Sequence, residues 1–327
     1  MKYVGLQEQK RSNSIKSILF LVLFPFVLLL SICPIFSLFQ PFENFIRTTF
    51  PIIIIGVIIW FLIAYFRNTA IISKATDARP LERKEEPRVY NLVENLCIAA
   101  NMDYIPKIYV VNTPKLNAYA SGIDDNSYAI TLTTGIINKL NNEELSGVIA
   151  HELTHILNKD TRLLVISIVF VGIINTFLNI FSKLTQGSFW ALIFGTAEDR
   201  STNKEDSSWL VNVTFAIAML FVLLAATTFA AIGYFFALLA RFSISRKREF
   251  LADAGGAELC QNPIALASAL RKISENPAME NIEKEDVAQL FIFHGGKEKK
   301  GLINKLKSFL FATHPDVNER IRLLEQF

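Results

Sequence analysis

Two uninterrupted apolar runs, Ile18 to Phe39 and Phe50 to Phe66, limit what this chain can become more than any other feature of its sequence. A helix needs about 17 to 25 predominantly apolar residues to cross the hydrocarbon of a bilayer, and each run has that length without a charge. Pro25 and Pro34 inside the first are tolerated there as kinks. Two further segments, 163–181 and 211–239, have a similar character, the second reaching back to Trp209. Their Asn175, Asn179 and Asn212 also suit packing against protein, so a buried helix pair is the competing reading. Composition decides the class: 51% hydrophobic residues and 27 phenylalanines among 327 exclude an ordinary soluble domain. The first run is too long for a cleaved signal peptide, and no small-residue cleavage site precedes Gln40, so it reads as a retained anchor.

Basic residues near the ends of these segments set the expected orientation. Lys2, Lys10, Arg11 and Lys16 precede the first run, and Arg67, Lys74, Arg79, Arg83 and Lys84 follow the second. Arg241, Arg246, Lys247 and Arg248 follow the fourth, whereas the connection Gln40 to Thr49 holds only Arg47. The expectation is a multi-pass protein of the cytoplasmic (inner) membrane, embedded in the lipid bilayer, with both termini and the active site in the cytosol. A net charge of +3, with basic residues taken up at membrane boundaries, gives no sign of a nucleic-acid partner. Cys33, Cys97 and Cys260 are odd in number and widely spaced, which predicts three free thiols.

The polar stretch after the second run carries the chemistry. His151-Glu152-Leu153-Thr154-His155 sets two imidazoles one helical turn apart with a carboxylate between them, in a segment from Leu145 to Asp160 that reads as one continuous helix. Residues i and i+4 share a face, so both rings reach one tetrahedral zinc ion while Glu152 leans over its open position. A catalytic zinc needs a third protein ligand. Histidines are scarce, leaving only His294 and His314, and His294 has no partner motif. Glu249 is the stronger candidate, at the start of a helix just past the fourth run, with Asp253 one turn on to fix a histidine tautomer. In most proteins such a carboxylate pair is a solvated helix face; beside an HExxH helix with no third histidine it reads as ligand and support. The segments 163–181 and 211–239 then act as an antiparallel clasp, since Glu249 lies 94 residues beyond His155.

Around that helix the pattern predicts a helix over Pro87 to Ala100, a strand over Ile105 to Val111, and a hairpin of Asn117 to Gly122 with Tyr128 to Thr133 about the turn Asp124-Asp125-Asn126. A short helix, Gly135 to Leu140, and the capping pattern Asn141 to Glu144 lead into the HExxH helix. The expected fold class is mainly α with a small β-sheet, an α+β zincin-like catalytic domain, plus about four transmembrane helices. Residues 1–66 form the anchor with spans at 18–39 and 50–66, and 67–162 the zincin-like half. Residues 163–240 hold the two further apolar helices, and 241–327 form a helical half that supplies the third ligand.

Four motifs, in order, resemble those of HtpX-type membrane metallopeptidases, gluzincins grouped with the CAAX prenyl endopeptidases. They are Asn117-Ala118-Tyr119-Ala120-Ser121-Gly122, HELTHILNKD at 151–160, Arg248-Glu249-Phe250-Leu251-Ala252-Asp253, and Thr313-His314-Pro315 with Arg320 after it. Tyr119 and Ser121 stand where Phe and Thr are common in that family, and the polar segment Glu198 to Ser208 is an insertion of unassigned role. The resemblance implies that His151, His155 and Glu249 bind one zinc ion per chain and that Glu152 is the catalytic base. It implies that Asn117, Ala118 and Tyr119 border the cleft and that His314 lies near the active site. His314 and Arg320 are candidates for stabilising a tetrahedral oxyanion, with plain helix packing as the equal alternative. The implied activity is an integral membrane zinc endopeptidase acting on polypeptides, membrane proteins above all, in quality control. The alternatives are a CAAX-type prenyl-protein endopeptidase, which carries more spans, and a catalytically inactive scaffold, which requires a broken ligand set. A protease cutting inside the bilayer is disfavoured by the charged flanks Asn142 to Glu144 and Asn158 to Arg162. The sequence carries no signal of oligomeric state.

Overall fold

The computed structural model describes residues 41–166, 246–275 and 315–327, with 11–15, 17–19 and scattered single positions elsewhere. The segments 163–181 and 211–239, and with them the clasp, fall almost wholly outside the described residues, as do Glu198 to Ser208, His294 and His314. Of the first run, positions 18, 19, 22, 25, 29 and 33 are described, and all are helical. The chain divides into two units, one of Met1–Phe20, Ile63–Val169 and Leu239–Phe327, the other of Leu21–Leu62 and Phe170–Leu238.

In the second unit a helix opens behind Pro41, whose missing N–H costs nothing at a helix start. It runs as an α turn, Phe42–Asn44, then a π-helical turn, Phe45–Thr49, into α1, Phe50–Phe66, which ends within the first unit. The connection expected over Gln40 to Thr49 is therefore helical from Phe42 onward. Phe42–Ile63 has 22 residues, and an 18-residue window within it has a mean hydropathy of 2.3 and no buried residues, long and apolar enough to cross a membrane. Among the described residues it is the one such helix; four transmembrane helices are not established.

The first unit is mostly helical around a small mixed sheet. After α2, Asn68–Thr76, a left-handed Asp77 stops the helix and releases strand β1, Ala78–Pro80, neither of which the hydrophobic pattern announces. Helix α3, Pro87–Ala99, follows, with Pro87 in its first turn. Strands β2, Lys107–Val111, β3, Ala118–Ser121, and β4, Ala129–Thr133, complete a sheet of order β1-β2-β4-β3. β2 pairs parallel with β4, and β3 pairs antiparallel with it from Ala118↔Leu132 to Ser121↔Ala129. This is the expected hairpin. At its corner Gly122 holds φ +111°, where a Cβ would lie 2.5 Å from Tyr128 Cα, and Asp124 accepts the Ser127 N–H to close the turn.

Alternation along the strands sends Ile108, Val110, Ala118, Ala120, Ile130 and Leu132 into one core with Val89, Val93 and Leu96 of α3. Past a short helix, α4, Thr134–Lys139, helix α5, Asn142–Leu157, adds Leu145, Val148, Ile149 and Leu153 to that core, all fully buried. Each such side chain contributes about 1.5–3 kcal/mol of burial. Asn141 and Glu144 form a reciprocal capping box at the start of α5, as their spacing predicts.

The far end of α5 departs from expectation. The segment Leu145 to Asp160 is not one helix: α5 stops at Leu157, Asn158 caps it, Lys159 takes a left-handed φ of +58°, and a new helical stretch starts at residue 160. The apolar run after residue 160 therefore does not continue straight from the HExxH helix.

Helices α6, Arg246–Cys260, and α7, Pro263–Glu275, cover the other side of α5, with α8, Val317–Leu324, against α7. Contact with α5 is close because it uses glycine. A Cβ on Gly256 would sit 2.9 Å from the His151 nitrogen, and one on Gly147 would sit 3.1 Å from Leu266. Glu144 then ties α5 to α7 by accepting from Ser268 and from Lys272, each at 2.7 Å. Burial opposes its charge, but these donors and the Asn141 N–H outweigh it and hold its pKa below the ordinary value. A lowered carboxylate pKa stabilises the fold above the unfolded-state value and loses that contribution as pH falls through the folded one. Glu144→Ala is expected to cost about 1–3 kcal/mol at neutral pH. Thermal unfolding of both proteins in detergent should show the Tm gap narrowing below the ordinary glutamate range.

Candidate metal centre

The i, i+4 spacing on α5 brings His155 Nε2 to 3.2 Å from His151 Nε2, with the rings edge-on. From α6, Glu249 reaches both, its carboxylate oxygens 3.8 Å from His151 Nε2 and 3.6 Å from His155 Nε2. One ligand atom from each of the three lies within 4.8 Å of the others. All three side chains are largely screened from solvent, His155 being the least so.

Behind each imidazole stands a carboxylate. Asp253, one turn beyond Glu249 on α6, places Oδ1 3.0 Å from His151 Nδ1, though off the hydrogen-bond line. Asp160, folded back by the break at Lys159, places Oδ2 3.2 Å from His155 Nδ1. Asp160 was not singled out from the sequence; its only signal is an acid five residues after a histidine, readable once the helix is known to end before it. Arg320 of α8 grips Asp253 with two bonds of 2.7 Å and lies 3.7 Å from Glu249. Arg248 donates to Asp160 at 3.0 Å.

These contacts test whether a cation fits. With both Nδ1 atoms facing carboxylates, the tautomer with the proton on Nδ1 is favoured, and in it the two Nε2 lone pairs point at one another and at Glu249. That arrangement is repulsive unless a metal ion, or a proton on one Nε2, sits among them. Charge agrees: around the two imidazoles Glu152, Asp160, Glu249 and Asp253 are buried acids and Arg248 and Arg320 buried bases, a surplus of two negative charges when all are ionised, the other buried acid among the described residues, Glu144, being paired with Lys272. Two imidazoles and one carboxylate, each imidazole backed by an acid, are a donor set that suits zinc.

Electrostatics follow from the same groups. Burial opposes charge on His155, but the Asp160 bond and the nearby Glu249 and Glu152 carboxylates prevail and lift it to about 9, which also makes Nε2 a better donor to a metal. Burial would raise Asp253, yet Arg320 and His151 overcome it and hold it at about 2. Burial raises Glu152; the imidazoles pull it down, Glu249 pushes it up, and the Ala120 N–H bonds to it.

The strand residues take separate places. Asn117 is fully buried and extends the hairpin, its carbonyl accepting from the Thr133 N–H at 3.1 Å. Ala118 faces the core shared with α5. Tyr119 turns to the opposite face, its hydroxyl 2.6 Å from Thr76 Oγ1. The main chain of Ala120, not singled out as a site residue from the sequence, lies next to Glu152 of α5.

The protein-family model described as peptidase family M48 matches residues 83–327. The chain belongs to peptidase family M48. That makes it a hydrolase, a metalloprotease, and the family's zinc dependence agrees with the donor set. Among similar proteins, a "Protease HtpX homolog" of Bacteroides fragilis strain YCH46 is 50% identical over the whole of both chains. Another so named, from Lactobacillus helveticus, is 33% identical, covering 98% of this chain and 99% of that one. Among solved structures, "Crystal Structure of S. mikatae Ste24p" is similar at 18% identity and TM-score 0.43, over 89% of this chain and 62% of that one, a likeness too low to decide anything further.

The M48 site depends on how closely α6 approaches α5. Gly256→Ala puts a methyl 3.0 Å from His151 Cα and must push the helices apart, carrying Glu249 with it. Titration of metal-free protein with zinc is expected to show affinity lowered by about tenfold or more, with helical content unchanged by circular dichroism.

Proposed function

We propose that this chain is an integral membrane zinc endopeptidase that binds one zinc ion through His151, His155 and Glu249 and uses Glu152 as general base. The observation that carries the reading is the pair of Nε2 atoms 3.2 Å apart, each ring backed by a carboxylate. When bound, zinc supplies Lewis acidity toward a peptide carbonyl and toward water.

The remaining steps belong to the chain. Glu152 takes a proton from the attacking water and returns it to the leaving amine, a task its burial-raised pKa suits. Asp253 and Asp160 hold the two rings with Nε2 forward. The edge of β3 offers main-chain groups along which an extended peptide can pair, next to the residue that moves the proton. Arg320 is engaged with Asp253, which favours a supporting role over oxyanion stabilisation and leaves His314 as the candidate for the latter.

Basic residues flanking the apolar runs support a multi-pass arrangement in the cytoplasmic membrane with the site in the cytosol. A cytosolic site beside the bilayer suits misfolded membrane proteins as substrates in quality control. Glu152→Gln is expected to keep its zinc and lose about 10²–10⁴ in kcat, while His155→Ala loses the metal. Retained proteolysis in Glu152→Gln would overturn the general-base assignment. Identical membrane-protein fragments, by mass spectrometry, from cells expressing wild type and Glu152→Gln would overturn the quality-control role.

A further inference from the structure

Asn13 lies in the short polar segment before the first apolar run, 138 residues from the nearest proposed ligand in sequence. In space it meets the metal centre. It is buried, 3% exposed, and its side-chain nitrogen donates to Asp160 Oδ1 at 2.7 Å and to the Asn158 carbonyl at 3.0 Å. Both acceptors flank the left-handed Lys159, so one amide group braces the two sides of the break that folds Asp160 back onto His155. Ser17, fully buried one turn later, donates to the Asn13 carbonyl at 2.8 Å and makes no hydrogen bond to either acceptor.

From this geometry we infer that Asn13 is a positioning residue for the metal centre: its amide fixes the Asp160 carboxylate, which fixes the His155 ring. The amide suits the task because it supplies two N–H donors on one planar nitrogen, one for each acceptor. Arg248 donates to the same Asp160 oxygen and shares in orienting it, but it adjoins Glu249, so Asn13 is the partner that can be changed without moving a ligand's neighbour. The segment leading into the membrane thereby becomes part of the support for the third layer of the site: ligand, carboxylate, amide. Outer supports of a metal ligand commonly affect affinity as strongly as tenfold or more.

This inference rests on the proposed zinc ligation, and the test separates the two. Full-length protein in detergent, loaded with zinc, is exposed to a chelator, and the rate of zinc loss is followed for wild type, Asn13→Ala, Asn13→Asp, Ser17→Ala and His155→Ala. Asn13→Ala should lose zinc about tenfold faster, and Asn13→Asp, which sets a second carboxylate against Asp160, faster still. Ser17→Ala, which perturbs the same helical stretch without touching Asp160, should match wild type. In the Asp160→Ala background, Asn13→Ala should add far less than it does alone, because the acceptor that reaches His155 is gone and only the Asn158 carbonyl remains. Equal acceleration in Ser17→Ala and Asn13→Ala, or additive losses in the double variant, would reduce Asn13 to general stability and overturn the inference. Zinc retained by His155→Ala would instead overturn the ligation itself.

Discussion

Two imidazole nitrogens 3.2 Å apart beside a buried carboxylate form an arrangement that needs a positive charge between them, a proton or a metal ion. The surrounding parts serve that condition. Asp253 and Asp160 keep the protons on the far ring nitrogens, while Arg320 and Arg248 offset part of the acids' charge and leave enough for a divalent ion. Adjacent glycines 255 and 256 let the helix bearing Glu249 lie against the backbone of the helix bearing the histidines. Glycine inside a helix sacrifices about 0.5–1 kcal/mol relative to alanine, here offset by the approach it permits.

The same helix does two jobs on two faces. Leu145, Val148, Ile149 and Leu153 fasten it to the sheet, and His151, Glu152 and His155 face the site. Because the core residues are fully buried, the histidines inherit their rigidity from ordinary packing. The main chain of Ala120, on the edge strand, lies next to Glu152 and works against the burial that raises its pKa, so the strand beside the proposed cleft adjoins the proposed proton carrier.

Much of this was legible in the sequence, and the exceptions have physical causes. His151, His155 and Glu249 were readable because helical spacing is a local rule and three-ligand zinc chemistry demands a third donor. The capping box and the hairpin were readable for the same local reason. Asp160 was missed because a lysine at φ +58° carries no residue-type signal, and a helix assumed to continue turns that acid away from His155. Strand β1 is three residues long, too short for alternation to show. Asn13 and the Arg320–Asp253 pair depend on contacts 147 and 67 residues apart, which no periodicity records. Arg320 was singled out by resemblance, with oxyanion stabilisation and helix packing left open, whereas its bonds go to Asp253.

The distance along the chain between His155 and Glu249 has a temporal meaning. A ribosome adds the 94 residues from Ile156 through Glu249 in about 5 to 20 seconds at ordinary elongation rates. Throughout that interval the nascent polypeptide carries the two histidines but not Glu249, two of the three proposed ligands. On the proposed ligation, the ion can be held by all three side chains only after the last of them has been synthesised and folded home.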